Sequence, residues 1–263
     1  MFRLLEIIPN VYVATSSLYL TNSIVIEGAN RHVLVIDPGV TVQDIAMLTW
    51  DLRLAGFRVN GGFSTHPHWD HVLWSQGLGD VPRYATQAAL QYVAAHRDVM
   101  VAEMMPVAPG HDLDLFGRLT TLEPMNDGLF WDGPSARIIT HGAHAPGHAA
   151  LFFPDFGVLI SGDMLSDVEI PLLDLMASDP IKDYRAALRL LSTVQPDVHI
   201  LIPGHGHVGY GGKEFQRRMT ADMTYLNNLE KGQISPDPRL RTPWLQAEHT
   251  TQWQHFHRPN RAK

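Results

Sequence analysis

Between Ser64 and His71 the chain reads Ser-Thr-His-Pro-His-Trp-Asp-His, placing three histidines and a carboxylate within six positions. Imidazole nitrogen and carboxylate oxygen ligate zinc, and equally iron or manganese, so such density on one short segment points to a metal loop. Pro67 disfavours a helical conformation at His66 and cannot sit in a helix interior, so the segment opens extended or turning. In extended chain, side chains two apart share a face, which lets His66 and His68 point at one ion. Asp70 and His71 come where the chain must leave that conformation and can serve a neighbouring position. The bland alternatives are a surface histidine group and a structural zinc site, but structural sites are usually four-coordinate and closed.

A metal loop needs a frame that brings distant ligands to it. Short apolar runs at 33–36, 149–153, 156–160 and 198–202 are bounded by turn residues and read as strands. Polar residues cluster at their ends: Asp37 after the first, Ala145-Pro146-Gly147-His148 before the second, Ser161-Gly162-Asp163 after the third and Pro203-Gly204-His205 after the fourth. Apolar spacing of three and four predicts helices over 42–55, 86–104 and 181–194. Residues 106–135 are rich in Gly, Pro and Asp and hold only brief strand candidates. After Gly212 the chain turns helical and more basic, over 213–230 and again from about 239. The expectation is an α/β chain with a catalytic domain over 1–210 and a helical C-terminal extension over 211–263 packed on it.

In order and type, His66, His68, Asp70 and His71, then a lone His148, a lone Asp163 and a last His205 resemble the metallo-β-lactamase-fold superfamily of metallohydrolases. The resemblance covers about residues 10–210. It implies a four-layer αββα sandwich with a dinuclear centre at one edge of the sheets. On that pattern His66, His68 and His148 hold one ion, Asp70, His71 and His205 hold the other, and Asp163 bridges them. Two divalent ions are implied, zinc first, with iron and manganese as alternatives. Asp37 matches the Asp that supports the metal loop in this family through hydrogen bonds. Attack by a metal-bridging hydroxide, with Asp70 as the catalytic group that takes and returns a proton, makes the chain a dinuclear metal-dependent hydrolase.

The seven-ligand set is similar to that of glyoxalase II thioesterases, acyl-homoserine lactone lactonases and related phosphodiesterases, which implies a small ester, thioester or lactone as substrate. His68 stands where flavodiiron oxygen reductases carry Glu, and Asp163 where the best-known zinc β-lactamases have Cys or no bridging ligand. A mononuclear iron enzyme, similar to the persulfide dioxygenases and using His66, His148 and Asp163, is the runner-up, and a phosphodiesterase is a further alternative.

Other residues carry weaker signals. Trp69 is a candidate for the substrate pocket and Tyr210 for an oxyanion contact. His141, His144 and His207 lie near the ligand positions and suit supporting roles. Met104, Met105 and Val107 either form an apolar lip or pack a helix end. Gly204-His205-Gly206-His207-Val208-Gly209 spells a dinucleotide-binding fingerprint with Asp222 downstream, but Pro203 heads it and His205 interrupts it. Gly211-Gly212-Lys213-Glu214 lacks the Ser or Thr of a phosphate-binding loop.

Composition removes other chemistries. The chain has no cysteine, which excludes disulfides and thiolate nucleophiles or ligands, and no serine stands in a G-x-S-x-G elbow. A net charge of −7 argues against nucleic acid as a partner. Lys213, Arg217, Arg218, Lys231, Arg239 and Arg241 read as a solvated helical face. No apolar run reaches the roughly 18 residues of a membrane span, and Glu6 and Pro9 interrupt any signal core. The expected partner is a small-molecule substrate, in the cytoplasm, without membrane, with a homodimer left open.

Overall fold

Residues 22–36 alternate between two interiors: Ile24, Ile26, Leu34 and Ile36 join one buried cluster, while Val25, Val33 and Val35 join another. Successive strand residues face opposite sides of a sheet, so this segment is covered on both faces. The computed structural model describes residues 3–122, 131–234 and 236–257. One sheet of seven strands runs in sequence order: β1 (Leu5–Ile8), β2 (Val11–Thr15), β3 (Asn22–Glu27), β4 (His32–Ile36), β5 (Arg58–Phe63), β6 (Arg83–Ala85) and β7 (Thr120–Thr121). The second has β8 (Arg137–His141), β9 (His148–Phe153), β10 (Val158–Gly162), β11 (Ile200–Pro203) and β12 (Gly209–Tyr210), ordered β12-β11-β10-β9-β8.

Three clusters define four layers. Between the sheets, Ile24, Ile36 and Phe63 meet Leu151, Phe153, Ile160 and Ile202. Outside the first sheet, Val33 and Val35 pack with Ile45 and Leu48 of α1 (Val42–Leu54) and Val93 and Met100 of α2 (Gln87–Met104). Outside the second, Phe152, Leu159 and Leu201 pack with α3 (Pro180–Ser192), α4 (Gly212–Glu230) and Leu245 of α5 (Pro243–His257). This is an αββα arrangement, and the residues after 211 share the core that α3 closes. Thr41 and Asp44 form a capping box at the start of α1. The helices expected over 42–55, 86–104 and 181–194 lie within a residue or two of α1, α2 and α3.

Two sequence alternatives meet this architecture. The glycine-rich 204–209 segment leaves β11 and enters β12, and α4 begins only at Gly212, so no helix opens on it as a dinucleotide site requires. Asp222 is instead buried in an ion pair with Arg239 at 2.5 Å. In the stretch 106–135 the described part holds β7, while 123–130 lie outside the described residues. Among the described residues no helix is long and apolar enough to cross a membrane.

The topology gathers polar strand ends at one edge. β4 and β5 run parallel, as do β10 and β11, and β9 is antiparallel to β10. Asp37, the 64–71 loop, Asp163 and His205 thus leave C-terminal strand ends at the edge where β9 begins. Ala149 N–H donates to Thr65 O at 2.8 Å and Asn22 N–H to Gly204 O at 2.7 Å, tying the two sheets together there.

Candidate metal centre

At this edge three groups of ligand atoms converge, one of them Asp163, Glu169 and His205. His66, His68, His144 and Asp163 each offer one atom within 4.8 Å of the others, and so do Asp70, His71 and His205. Asp163 joins them: its carboxylate lies 3.4 Å from His66 Nε2, 3.4 Å from His71 Nε2 and 3.2 Å from His205 Nε2. A tight turn over Trp69–His71 redirects Asp70 and His71 away from the face of His66 and His68.

Each imidazole is aimed by what its far nitrogen touches. Asp37 accepts from His71 Nδ1 at 2.9 Å, from Thr65 N–H at 2.9 Å and from Thr65 Oγ1 at 2.6 Å. With its proton committed to Asp37, the Thr65 hydroxyl accepts from His66 Nδ1 at 3.0 Å. His144 Nδ1 donates to Leu172 O at 2.8 Å and His205 Nδ1 to Tyr19 O at 3.0 Å. Four Nε2 atoms are therefore directed toward the cluster, the orientation control seen around metal-bound histidines. Asp37 achieves this from a left-handed backbone conformation, φ 49°, held by those three bonds.

The third histidine of the sequence expectation, His148, is buried against the same cluster. His148 Nε2 accepts the backbone N–H of Asp163 at 3.1 Å, and its ring stacks between His66 and His141 with centroids 5.0 and 4.4 Å away. Its Nδ1 is buried without a hydrogen-bond partner. His144 also reaches the cluster, with Nε2 3.0 Å from His68 Nδ1. Tyr210 pairs with Ile200 at the start of β11, is 61% exposed and is not among the residues that line the cavity over the cluster. His207 is exposed and bound to Asp167 at 2.9 Å. Met104 is core, Met105 is exposed, and Val107 lines the cavity below.

The residues present fit metal ions. Asp163 Oδ1 is buried without a hydrogen-bond partner, an arrangement that costs free energy unless a cation receives it. His66 Nε2 and His68 Nδ1 approach to 3.1 Å, and His71 Nε2 and His205 Nε2 also to 3.1 Å. Burial pushes His68 down to about 3, with His144 adding to the shift, which leaves a neutral nitrogen donor. Burial alone would raise the Asp70 and Asp163 carboxyls, but the surrounding histidines outweigh it and hold both below the usual carboxylate range. The donor set is nitrogen and carboxylate oxygen, suited to zinc, iron or manganese.

A cavity of about 540 Å³ opens over this centre. Trp69 lines it, as the sequence suggested. Tyr19, Glu169, Trp244 and Glu248 also line it and had no sequence signal, since remote loops and α5 deliver them. Burial pushes Glu169 up to about 7, and it lies 3.8 Å from His205 Nδ1.

Comparisons with known proteins agree with this fold. The family model of the metallo-beta-lactamase superfamily matches residues 17–205. A probable metallo-hydrolase, YflN of Bacillus subtilis (strain 168), is 28% identical over 205 residues, 66% of this chain and 72% of that one. The sec-alkylsulfatase Pisa1 from Pseudomonas sp. superposes with a TM-score of 0.71 at 18% identity over 97% of this chain, which spans 50% of that protein's length. A metallo-beta-lactamase family protein from Thermus thermophilus superposes with a TM-score of 0.66 at 20% identity, covering 86% of this chain and 83% of that one. At these identities the structural likenesses establish the fold.

Proposed function

Because this chain belongs to the metallo-β-lactamase superfamily, we propose that it is a dinuclear metal-dependent hydrolase cleaving a small ester, thioester or lactone. The observation that carries the reading is two ligand groups, His66, His68, His144 and Asp163 beside Asp70, His71 and His205, with the Asp163 carboxylate 3.4 Å from His71 Nε2 and 3.2 Å from His205 Nε2, opening on one cavity. His66, His68 and His144 would hold one ion, Asp70, His71 and His205 the other, with Asp163 between. Two divalent ions held there would supply Lewis acidity toward the scissile carbonyl and lower the pKa of a water toward neutrality.

The chain's own residues do the rest. Asp70, ionised and lining the cavity, accepts the proton of the attacking water and returns it to the leaving group. Asp37 and Thr65 keep His71 and His66 in the tautomers that present Nε2 inward. Trp69 and Tyr19, with rings 6.4 Å apart, wall one side of the centre and limit its water. Among the described residues no lysine or arginine lines the cavity, which weighs against a phosphodiester. The commitment of His148 Nε2 to a backbone N–H weighs against a lone iron held by His66, His148 and Asp163.

Metal-analysed protein tested on acyl thioesters, esters, lactones and phosphodiesters checks the proposal. Turnover of a carbonyl substrate that disappears on chelation and returns with zinc, iron or manganese supports it. Turnover confined to phosphodiesters, or oxygen consumption with a single iron, contradicts it.

A further inference from the structure

We infer that the cavity is built for a substrate carrying an ammonium group, held away from the metal centre between carboxylates and aromatic rings. The inference rests on the hydrolase reading and names the substrate class of that same site. Four carboxylates line the cavity beyond the ligands: Glu169, 3.8 Å from His205 at the inner end, and three more, Glu103 on α2, Asp174 in the segment before α3, and Glu248 on α5. They arrive from separate parts of the chain and converge on one space. Among the described residues none of the three forms an ion pair with lysine or arginine. Neighbouring arginines are engaged elsewhere, Arg185 with Glu230, Arg217 and Arg218 with Glu214, and Arg239 with Asp222 and Asp237.

The aromatic rings supply an independent observation. Tyr19 stands 6.5 Å from the His205 ring, 6.4 Å from Trp69 and 5.8 Å from Trp244, so a continuous wall leads outward from the metal centre. Trp244 and Glu248 are four apart on α5, one turn on the same side of the helix. Tyr92 lines the opposite side, on the same helix as Glu103. Faces of Trp and Tyr attract cations, ammonium groups above all, and a carboxylate beside them adds Coulombic attraction. Burial raises the Tyr92 hydroxyl, and Asp174 and Glu103 raise it further, so a second negative charge is disfavoured in this part of the cavity.

The charge is divided along the cavity. Two divalent ions set against Asp70 and Asp163 leave the inner end suited to an acyl oxygen, whereas the outer end keeps three carboxylates and no cation. An ester or thioester bearing an ammonium group matches both ends. A carboxylate, sulfate or phosphate tail meets repulsion.

Two isosteric ligands test this without turnover: choline and 3,3-dimethylbutan-1-ol, titrated into zinc-loaded protein by calorimetry and tryptophan emission. Choline is expected to bind at least about tenfold more tightly than the neutral alcohol. In the combined variant Glu103→Gln, Asp174→Asn, Glu248→Gln, with circular dichroism confirming the fold, the choline preference is expected to fall at least about fivefold. Equal affinity for choline and the alcohol, no saturable choline binding, or a preference that survives in the variant would overturn the inference. Failure of the hydrolase reading shows separately, as absent metal-dependent turnover.

Discussion

His148 Nε2 accepts the backbone N–H of Asp163 at 3.1 Å, whereas His144 stands with His66, His68 and Asp163 in one group of potential ligands, the arrangement on which the proposed ligand set rests. His144→Ala is therefore expected to lose about one ion per chain and lower kcat/KM by well over ~100-fold, beyond the usual effect of a supporting residue. His148→Gln, which keeps an acceptor, should retain both ions and lose about tenfold. Elemental analysis with steady-state kinetics on the two variants separates these roles, and the reverse pattern would restore His148 as a ligand.

Asp37 organises the loop without touching the site directly. Asp37→Asn replaces one acceptor oxygen by a donor facing Thr65 or His71, so the Nε2 lone pairs lose their fixed direction. Metal affinity, measured by competition with a chromogenic chelator, should fall about 10–100-fold while circular dichroism stays native. Unchanged affinity would remove Asp37 from the account.

Gly204 is a glycine because of what faces it. A Cβ there would collide with Asp163 Oδ1 and stand 3.1 Å from His71 Cε1. Gly204→Ala should cost about 1–3 kcal/mol in chemical denaturation and weaken metal binding, because backbone and carboxylate cannot both keep their places. A fully stable variant with parental metal content would contradict this packing.

His141 carries a pH dependence. Burial, with His144 adding, pushes it down to about 3. The unfolded chain takes up a proton near the ordinary histidine value while the folded chain does not, so this contribution is complete above that value and is lost as pH falls toward 3. His141→Phe keeps a ring against His148 and removes the proton site. In chelated protein the parent should lose roughly 2 kcal/mol more stability than the variant between pH 7 and 5. Parallel stability profiles would show that His141 does not set the acid limit.

The metal loop was legible because its ligands are local: six consecutive positions carry the spacing, and Pro67 restricts the backbone that presents them. Strands were legible as short continuous apolar runs, as at 33–36 and 149–153, whereas the four layers followed only from the family resemblance. The choice between His144 and His148 was not, since both flank Ala145-Pro146-Gly147 and the difference lies in backbone direction. Gly147 turns at φ 73°, its carbonyl accepts from the Thr86 hydroxyl at 2.6 Å, and His148 becomes the first residue of β9. Strand alternation offered one clue: Ala149, Leu151 and Phe153 face the opposing sheet, placing His148 on the other face with Ala150 and Phe152. Glu169, Trp244 and Glu248 were silent because only the tertiary fold brings α5 and the segment after Asp163 over the cavity. Tyr210 misled because proximity to His205 in sequence ignores β12 turning back along β11.

The central claim is that two ions share Asp163, and metal per chain tests it most directly. After extensive dialysis of protein reconstituted with zinc, elemental analysis should give close to two ions per chain, falling to about one in His144→Ala with Asp163 intact. A parent that saturates at one ion per chain would contradict the dinuclear centre.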